Sequence, residues 1–133
     1  MIYSSFKDEF KFEDRLTEAK RVLFKYPDRI PIICERSLTA NKDCPIIDKK
    51  KYLVPRTYKI GEFLFVIRKR LKLPPEKAIF LFVNGTIPPT SSLIGDIYQT
   101  YKDNDCYLYM CYSQENTFGD INLIYINNPI IQL

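Results

Sequence analysis

The sequence predicts an α+β fold built as one domain, in which two helices precede a succession of strands and a further long helix. A chain of 133 residues has the length of a single domain. Segments with helical periodicity and short apolar or alternating segments follow one another, with turn residues between them. Because 46% of the residues are hydrophobic, the chain can bury one continuous core, and disorder of the whole chain is not expected.

Two helices are predicted at the N-terminus. Residues 4–10 form a short polar and aromatic segment, and residues 13–25 place Leu16, Ala19 and Leu23 at helical spacing. Tyr26-Pro27 ends the second helix, because a proline disfavours helical geometry in the residue before it. Residues 1–27 are therefore expected to form a helical subdomain ahead of the sheet.

Two strands and a long helix follow. Residues 29–36 are β-branched and partly alternating, and residues 37–48 form a polar loop. Residues 51–55 predict a short strand, whose Pro55 suits an edge or an end. Residues 60–73 predict a helix with its apolar residues on one face. Its basic residues cluster towards the C-terminal end, where they suit the helix dipole.

The second half of the chain predicts the remaining elements. Residues 78–83 are wholly apolar and predict a buried strand, and Asn84-Gly85 is a hairpin turn signal. Residues 93–101 predict a short helix, and residues 105–112 predict the last strand. This order of elements is that of a β-grasp, the ubiquitin-like fold, with two additional N-terminal helices.

The composition argues against an enzyme. The chain has no histidine, which excludes Cys–His and Ser–His nucleophiles and histidine metal sites. Its four cysteines form no CxxC pair, and without a recognisable secretory signal they are predicted to be reduced, buried and inert, so neither a metal nor a cofactor is expected. The net charge of +4 favours acidic partners but is too small to predict binding of nucleic acid. No segment has the roughly 20 apolar residues of a membrane span.

Five motifs carry a resemblance to a known family: Lys25-Tyr26-Pro27-Asp28-Arg29-Ile30-Pro31, Lys49-Lys50-Lys51-Tyr52-Leu53-Val54-Pro55, Ile67-Arg68-Lys69-Arg70, Ile87-Pro88-Pro89-Thr90-Ser91 and Phe118-Gly119. Together they resemble the autophagy ubiquitin-like modifiers of the GABARAP type, over about residues 7–119. The resemblance implies that the N-terminal helices pack on the sheet face opposite the long helix. It also implies a ubiquitin-like core over residues 28–119 and a C-terminal tail, a predicted propeptide, over residues 120–133.

The resemblance implies a modification at Phe118, Gly119 and Asp120. A processing cysteine protease is expected to cut after Gly119. Activating and conjugating enzymes are then expected to pass its carboxyl group to the amino group of phosphatidylethanolamine. The chain is expected to be cytoplasmic, and on the autophagosomal membrane when lipidated. The chemistry then belongs to those enzymes, with this chain as their substrate and afterwards as an adaptor.

The resemblance also implies a peptide-binding site at the strand 51–55. An exposed edge strand is a template for strand addition by an extended peptide, although an ordinary edge strand with solvated lysines has the same pattern. The family captures cargo receptors and adaptors there, through motifs of the form aromatic-x-x-aliphatic. The pocket for the aromatic residue corresponds to Glu18, Val22, Pro31, Ile33, Lys51, Leu53 and Tyr107. The pocket for the aliphatic residue corresponds to Tyr52, Val54, Pro55, Tyr58, Phe63, Val66 and Ile67.

A basic rim beside these pockets consists of Arg29, Lys49, Lys50 and Arg70, together with Lys51. Scattered solvated charges of this kind are usually worth little individually. Because the peptide motifs bound by this family typically carry acidic residues beside the aromatic, the rim is predicted to steer them and to speed encounter.

Three alternatives are open for residues 120–133. They form a disposable propeptide, or they add a strand to the sheet or dock in the peptide pocket, or they are retained in a divergent relative that is never processed. In the last case the protein is a non-conjugated, soluble peptide-binding scaffold. By the same resemblance, the loop 37–48 is longer than in close GABARAP-type relatives, and it is expected to alter one rim of the pocket.

Overall fold

Residues 5–115 are described by the computed structural model of the protein, and within this range there are four helices and four strands. In chain order they are α1 (Phe6–Glu9), α2 (Phe12–Lys25), β1 (Arg29–Arg36), β2 (Lys51–Pro55), α3 (Ile60–Leu71), β3 (Phe80–Phe82), α4 (Ile94–Tyr101) and β4 (Leu108–Ser113). Residues 1–4 and 116–133 lie outside the described part, and with them the predicted tail. No described helix is both long and apolar enough to cross a membrane.

The four strands form one mixed sheet in the order β2-β1-β4-β3. β1 runs antiparallel to β2, with Ile33 opposite Lys51 and Arg29 opposite Pro55. It runs parallel to β4, with Ile33 opposite Tyr109, and β3 pairs antiparallel with β4 on the other side. A central parallel pair flanked by antiparallel strands confirms the predicted β-grasp.

Side chains alternate along β1, so its two faces bury different clusters. Ile32 points into the main core, where Phe63 of α3 is also buried. Ile33 packs on the other face with Phe6 of α1 and Ala19 of α2. The N-terminal helices and α3 therefore lie on opposite faces of the sheet, as the resemblance implied.

The predicted hairpin turn is present. Asn84 and Gly85 have φ values of 50° and 77°, the left-handed pair that a tight hairpin turn requires. Val83 and Thr86 exchange two backbone hydrogen bonds of 2.8 and 3.0 Å across it. The preceding strand is shorter than predicted, since β3 covers Phe80–Phe82 within the apolar segment 78–83.

Two other ends differ from the prediction for local reasons. α3 ends at Leu71, two residues early, because Lys72 adopts left-handed backbone with φ 56° and ψ 40°. β4 begins at Leu108 rather than at residue 105. There the side chain of Asp105 accepts the backbone N–H of Tyr107 at 2.9 Å, which replaces a strand-to-strand hydrogen bond at that point.

The cysteines are less uniformly buried than predicted. Cys34 and Cys44 are buried, whereas Cys106 and Cys111 are half-exposed. Burial raises the pKa of the Cys34, Cys44 and Cys111 thiols, which keeps them protonated at neutral pH.

Candidate functional site

β2 lies at an edge of the sheet, with a helix on each of its faces. Within residues 5–115 no strand pairs with its outer side, so its backbone is open to an added strand. Lys51 turns towards α2, where its Nζ lies 2.9 and 3.0 Å from the two carboxylate oxygens of Glu18. Tyr52 turns to the other face, where its ring meets that of Phe63 in α3 edge-on, with centroids 5.4 Å apart. Adjacent residues of the edge strand thus contact two different helices, α2 on one face of the sheet and α3 on the other.

A cavity of about 270 Å³ lies between β2 and α3. Six of the seven residues predicted for the aliphatic pocket line it: Tyr52, Val54, Pro55, Tyr58, Phe63 and Val66. The seventh, Ile67, is fully buried in the core. Arg29 and Leu53 complete the lining, although Leu53 was predicted for the aromatic pocket. The structure therefore brings the predicted aliphatic group together, in a mostly apolar depression with one cation in its lining.

Two tyrosines shape this cavity. The hydroxyl of Tyr52 donates to the carbonyl oxygen of Lys49 at 2.6 Å, and burial raises the pKa of its phenol, which is therefore neutral at physiological pH. Tyr58 lines both this cavity and a second one of about 580 Å³, which continues along α3 past Phe65 and Lys69. Tyr58 therefore forms a shared wall between two depressions, and the first cavity stays open although a bulky residue stands at this position.

The residues predicted for the aromatic pocket are divided between the surface and the interior. Pro31, Ile33 and Tyr107 are buried, Glu18, Val22 and Leu53 are half-exposed, and Lys51 is exposed. The hydroxyl of Tyr107 donates to Glu18, which also holds Lys51. Glu18 thus joins Lys51 of the edge strand to the buried Tyr107, and the ion pair lies across the predicted aromatic site.

Glu18 is ionised in this arrangement. Partial burial by itself raises the pKa of its carboxyl group, but the hydrogen bonds from Tyr107 and Lys51 outweigh burial and hold that pKa below its usual range. Burial, followed by the bond to Glu18, raises the pKa of the Tyr107 phenol. The ion pair between α2 and the edge strand is therefore intact at neutral pH.

A further cavity of about 160 Å³ adjoins this ion pair and was not predicted; its lining is formed by Phe6, Phe10, Asp14, Arg15, Glu18 and Lys51. The ring of Phe6 packs on that of Tyr107 with centroids 5.2 Å apart, and Lys51 Nζ lies 5.6 Å from the centre of the Phe6 ring. Sequence patterns did not single out Phe6, because a helix of four residues has too little periodicity to show which face is buried. The aromatic character of residues 4–10 was the available signal.

The predicted basic rim divides into paired and unpaired cations. Three of its members are paired with carboxylates at N–O distances of 2.9, 3.2 and 2.9 Å, namely Arg70 with Asp48, Lys50 with Glu35, and Lys51 with Glu18. Arg29 and Lys49 are exposed, and no carboxylate of the described residues lies within ion-pair distance of either. Within the rim, Arg29 and Lys49 are therefore the two cations whose charge no described carboxylate offsets at close range.

The predicted cleavage and conjugation residues, Phe118, Gly119 and Asp120, lie outside the described residues. The described part ends at Glu115, whose carboxylate accepts a hydrogen bond from Nδ2 of Asn41 at 3.4 Å. Because β4 runs parallel to β1, the chain leaves the sheet at the Arg36 end of β1. The aliphatic cavity lies at the opposite end, beside Arg29.

Comparison with known proteins gives a consistent picture. Residues 14–119 match the family model described as autophagy protein Atg8, ubiquitin like. The chain is 57% identical over 117 residues to autophagy-related protein 8 of Kluyveromyces lactis, which covers 88% of this chain and 93% of that protein. It is 55% identical over 116 residues to autophagy-related protein 8 of Candida glabrata, covering 87% of this chain and 97% of that protein.

Two solved structures are similar to the fold described above. The Trypanosoma brucei ATG8 structure has a TM-score of 0.77 and 42% identity, covering 84% of this chain and 95% of that one. The structure of Plasmodium falciparum Atg8 in complex with a Plasmodium falciparum Atg3 peptide has a TM-score of 0.78 and 43% identity, covering 85% of this chain and 98% of that one.

Proposed function

This chain belongs to the Atg8 family of autophagy-related ubiquitin-like modifiers, and from that premise we propose that it binds aromatic-x-x-aliphatic peptides along β2 and is conjugated through Gly119 to phosphatidylethanolamine. The observation that carries the binding proposal is the cavity between β2 and α3, because six predicted positions line it beside an open strand edge. Its ligands are then cargo receptors and adaptors that carry such motifs.

The two pockets set the direction of the bound peptide. The aromatic site lies at the Lys51 end of β2, and the aliphatic cavity reaches Pro55 at the other end. A peptide with its aromatic residue first therefore runs parallel to β2. The three residue steps from aromatic to aliphatic span about 10 Å in an extended chain, which matches the span from Lys51 to Val54. Backbone hydrogen bonds to the strand give affinity, and the two side chains give specificity.

Entry of the aromatic residue requires the exchange of one ion pair. The Lys51 and Glu18 side chains are 45% and 33% exposed, and an exposed pair of this kind contributes only about 0.2–1 kcal/mol. Burial of a large apolar side chain contributes about 1.5–3 kcal/mol, which exceeds that cost. An acidic residue of the peptide also offers Lys51 a new partner, so an acidic motif is favoured over a neutral one.

The conjugation proposal is supported by Phe118-Gly119, which lies within the residues that match the family. A processing cysteine protease hydrolyses the bond between Gly119 and Asp120 and leaves a carboxylate on Gly119. An activating enzyme then joins that carboxylate to a nucleoside triphosphate with release of pyrophosphate, and an enzyme thiol displaces the nucleotide to form a thioester. The thioester passes to the conjugating enzyme, and the amino group of the lipid finally displaces its thiol to form an amide. The similar Plasmodium falciparum Atg8 was solved with an Atg3 peptide, and we extend a conjugating-enzyme partner of that kind to this chain.

The product of this conjugation is a membrane-attached adaptor. Two acyl chains hold a protein on a bilayer more firmly than one. Conjugation to this lipid therefore anchors a cytoplasmic protein on the autophagosomal membrane. Many copies on one membrane then add avidity to each peptide contact. The chain itself supplies no catalytic group to these steps.

Titration calorimetry with an acidic aromatic-x-x-aliphatic peptide tests the binding site. We expect Tyr52→Ala combined with Leu53→Ala to weaken binding by about 2 kcal/mol or more, the loss typical of hot-spot residues. Glu76→Ala, at an exposed position after α3, serves as the control and leaves affinity unchanged. An unchanged affinity in the folded double variant removes β2 from the binding site.

A further inference from the structure

The chain itself contains a motif of the form that it is proposed to bind along β2. We call the aromatic site at Lys51 together with the cavity between β2 and α3 the β2 groove. Phe118-Gly119-Asp120-Ile121 has an aromatic residue followed three positions later by an aliphatic one. It carries a carboxylate inside the motif, and Glu115 lies three residues before the aromatic. The predicted cleavage bond, between Gly119 and Asp120, lies in the middle of this motif.

We propose that the uncleaved chain binds to itself: residues 118–121 of one copy occupy the β2 groove of a second copy. This inference rests on the peptide-binding function proposed above. Hydrolysis after Gly119 adds water across the Gly119–Asp120 bond, leaving a carboxylate on Gly119 and an amino group on Asp120. It thereby separates Phe118 from Ile121, and neither fragment keeps the complete motif. Processing therefore frees the groove for other peptides at the same moment as it exposes the conjugation site.

The strand register argues against docking of this motif in the groove of the same molecule. Ile33 of β1 pairs with Lys51 of β2 on one side and with Tyr109 of β4 on the other. Ser113 follows Tyr109 by four residues, so it lies about 13 Å beyond the Lys51 end of the groove, measured along the strands. A strand added outside β2 lies three strand spacings from β4, about 14 Å, so the direct distance is about 19 Å.

The connecting chain is too short for that path. Five residue steps from Ser113 to Phe118 reach at most about 18 Å when fully extended. The chain also has to reverse its direction, since the bound motif runs parallel to β2 and therefore antiparallel to β4. Reversal consumes residues in a turn and shortens the reach further. The occupant of the groove is therefore the segment of another copy.

The groove matches this segment in shape and in charge. Ile121 suits the apolar cavity between β2 and α3, and Phe118 then lies at the Lys51 end. The acidic residues on either side of Phe118 meet a rim on which Arg29 and Lys49 have no carboxylate partner among the described residues. Charge complementarity of this kind favours a motif flanked by carboxylates.

Sedimentation velocity of the full chain over a concentration series tests the proposal. We expect concentration-dependent association of the wild type, and loss of association in Phe118→Ala and in Ile121→Ser. Ile124→Ser removes an aliphatic residue of the tail outside the motif and should associate like the wild type. Association that persists in Ile121→Ser, or that is lost equally in Ile124→Ser, overturns the proposal.

Mixing two variants tests the groove-to-tail arrangement. The Ile121→Ser chain keeps an intact groove, and the Tyr52→Ala, Leu53→Ala chain keeps an intact motif. Each alone should remain monomeric, and an equimolar mixture should form a heterodimer, because only one of the two possible contacts is available. A mixture that remains monomeric at concentrations where the wild type associates overturns the proposal.

A peptide comparison separates failure of this inference from failure of the proposed function. A synthetic peptide of residues 115–123 is titrated into the Ile121→Ser full chain, alongside a designed reference peptide with two glutamates before Trp-x-x-Leu. We expect both to bind, and the 115–123 peptide with Ile121→Ser to bind about tenfold more weakly. If only the reference binds, the inference fails and the groove function stands. If neither binds, the groove function itself fails.

Discussion

Arg15 and Asp105 form an ion pair that fastens α2 to the turn before the last strand. Arg15 Nη1 lies 2.8 Å from Asp105 Oδ2, and the Asp105 side chain is fully buried while that of Arg15 is 10% exposed. Asp105 also accepts the Tyr109 hydroxyl, and Arg15 Nε donates to the carbonyl oxygen of Phe10 at 3.2 Å. The pair thereby holds both N-terminal helices on the sheet face that carries the aromatic site.

Removal of one member of this pair should be strongly destabilising. We expect Arg15→Met to lower the free energy of unfolding by about 3–5 kcal/mol, because it leaves a buried carboxylate without its cation. Urea denaturation measures the loss. Lys7→Met is the matched control, since it breaks the Lys7–Asp103 pair of 2.8 Å whose side chains are 46% and 28% exposed. The free energy of unfolding of that variant should fall by about 1 kcal/mol or less. Equal losses in the two variants would contradict a special contribution of the buried Arg15–Asp105 pair.

The Glu18 carboxylate predicts a pH-dependent contribution to stability. Its pKa in the folded chain lies below the ordinary value of 4.5, so it stabilises the fold above that pH. The contribution is lost as the pH falls through the lowered folded pKa. We therefore expect the wild type to be more stable than Glu18→Gln at pH 7, with the difference shrinking as the pH falls below 4.5 and through the lowered folded pKa. Urea denaturation of both chains at a series of pH values measures this difference in the free energy of unfolding. A difference that does not change with pH would show that ionisation of Glu18 does not stabilise the fold.

Steering of acidic peptides should depend on Arg29 and Lys49, the two rim cations that pair with no carboxylate within residues 5–115. Arg29→Gln combined with Lys49→Gln is expected to slow association, with little change in the dissociation rate. The matched control is Asp48→Asn with Arg70→Gln, which removes a pair of opposite charges and leaves the long-range field nearly unchanged.

Salt gives a second measurement of the same effect. The Debye length falls from about 10 Å at 0.1 M to about 3 Å at 1 M, so stopped-flow association rates of the wild type should fall as salt rises. The Arg29, Lys49 variant should show a shallower dependence. Association rates that do not change with salt exclude steering by this rim.

The proposed cleavage and lipid attachment at Gly119 are tested by substitution of that glycine. Gly119→Ala should block both without unfolding the domain, as measured by intact mass of the protein recovered from cells with and without the processing protease. Ile124→Ala, in the predicted propeptide, should be processed like the wild type. Recovery of lipidated Gly119→Ala contradicts the proposal. A wild type that retains residues 120–133 in cells supports the non-conjugated scaffold instead.

The local sequence pattern was sufficient to predict those elements whose bounds depend on their own residues. β1 and β2 have the predicted bounds, because a β-branched segment after Pro27 and a short segment ending at Pro55 are recognisable as strands in the sequence. The turn at Asn84-Gly85 has the predicted backbone because these residues tolerate left-handed φ. The start of β4 was predicted too early, since the backbone N–H of Tyr107 donates to the Asp105 side chain there instead of to a neighbouring strand.

The candidate site shows the same division. By itself the sequence determined the family resemblance, which rests on motifs, and the alternation that turns Lys51 and Tyr52 to opposite faces, which follows from strand periodicity. The residues proposed for the aliphatic pocket came from the resemblance, and the structure places six of the seven around one cavity. Only the tertiary structure decided that Glu18 pairs with Lys51, which lies 33 positions away, and that Arg15 meets Asp105 across 90 positions. It also decided which cations of the rim are already paired. Such contacts depend on how α2 packs against the sheet, and no periodicity within either segment specifies which charged side chains the packing brings together.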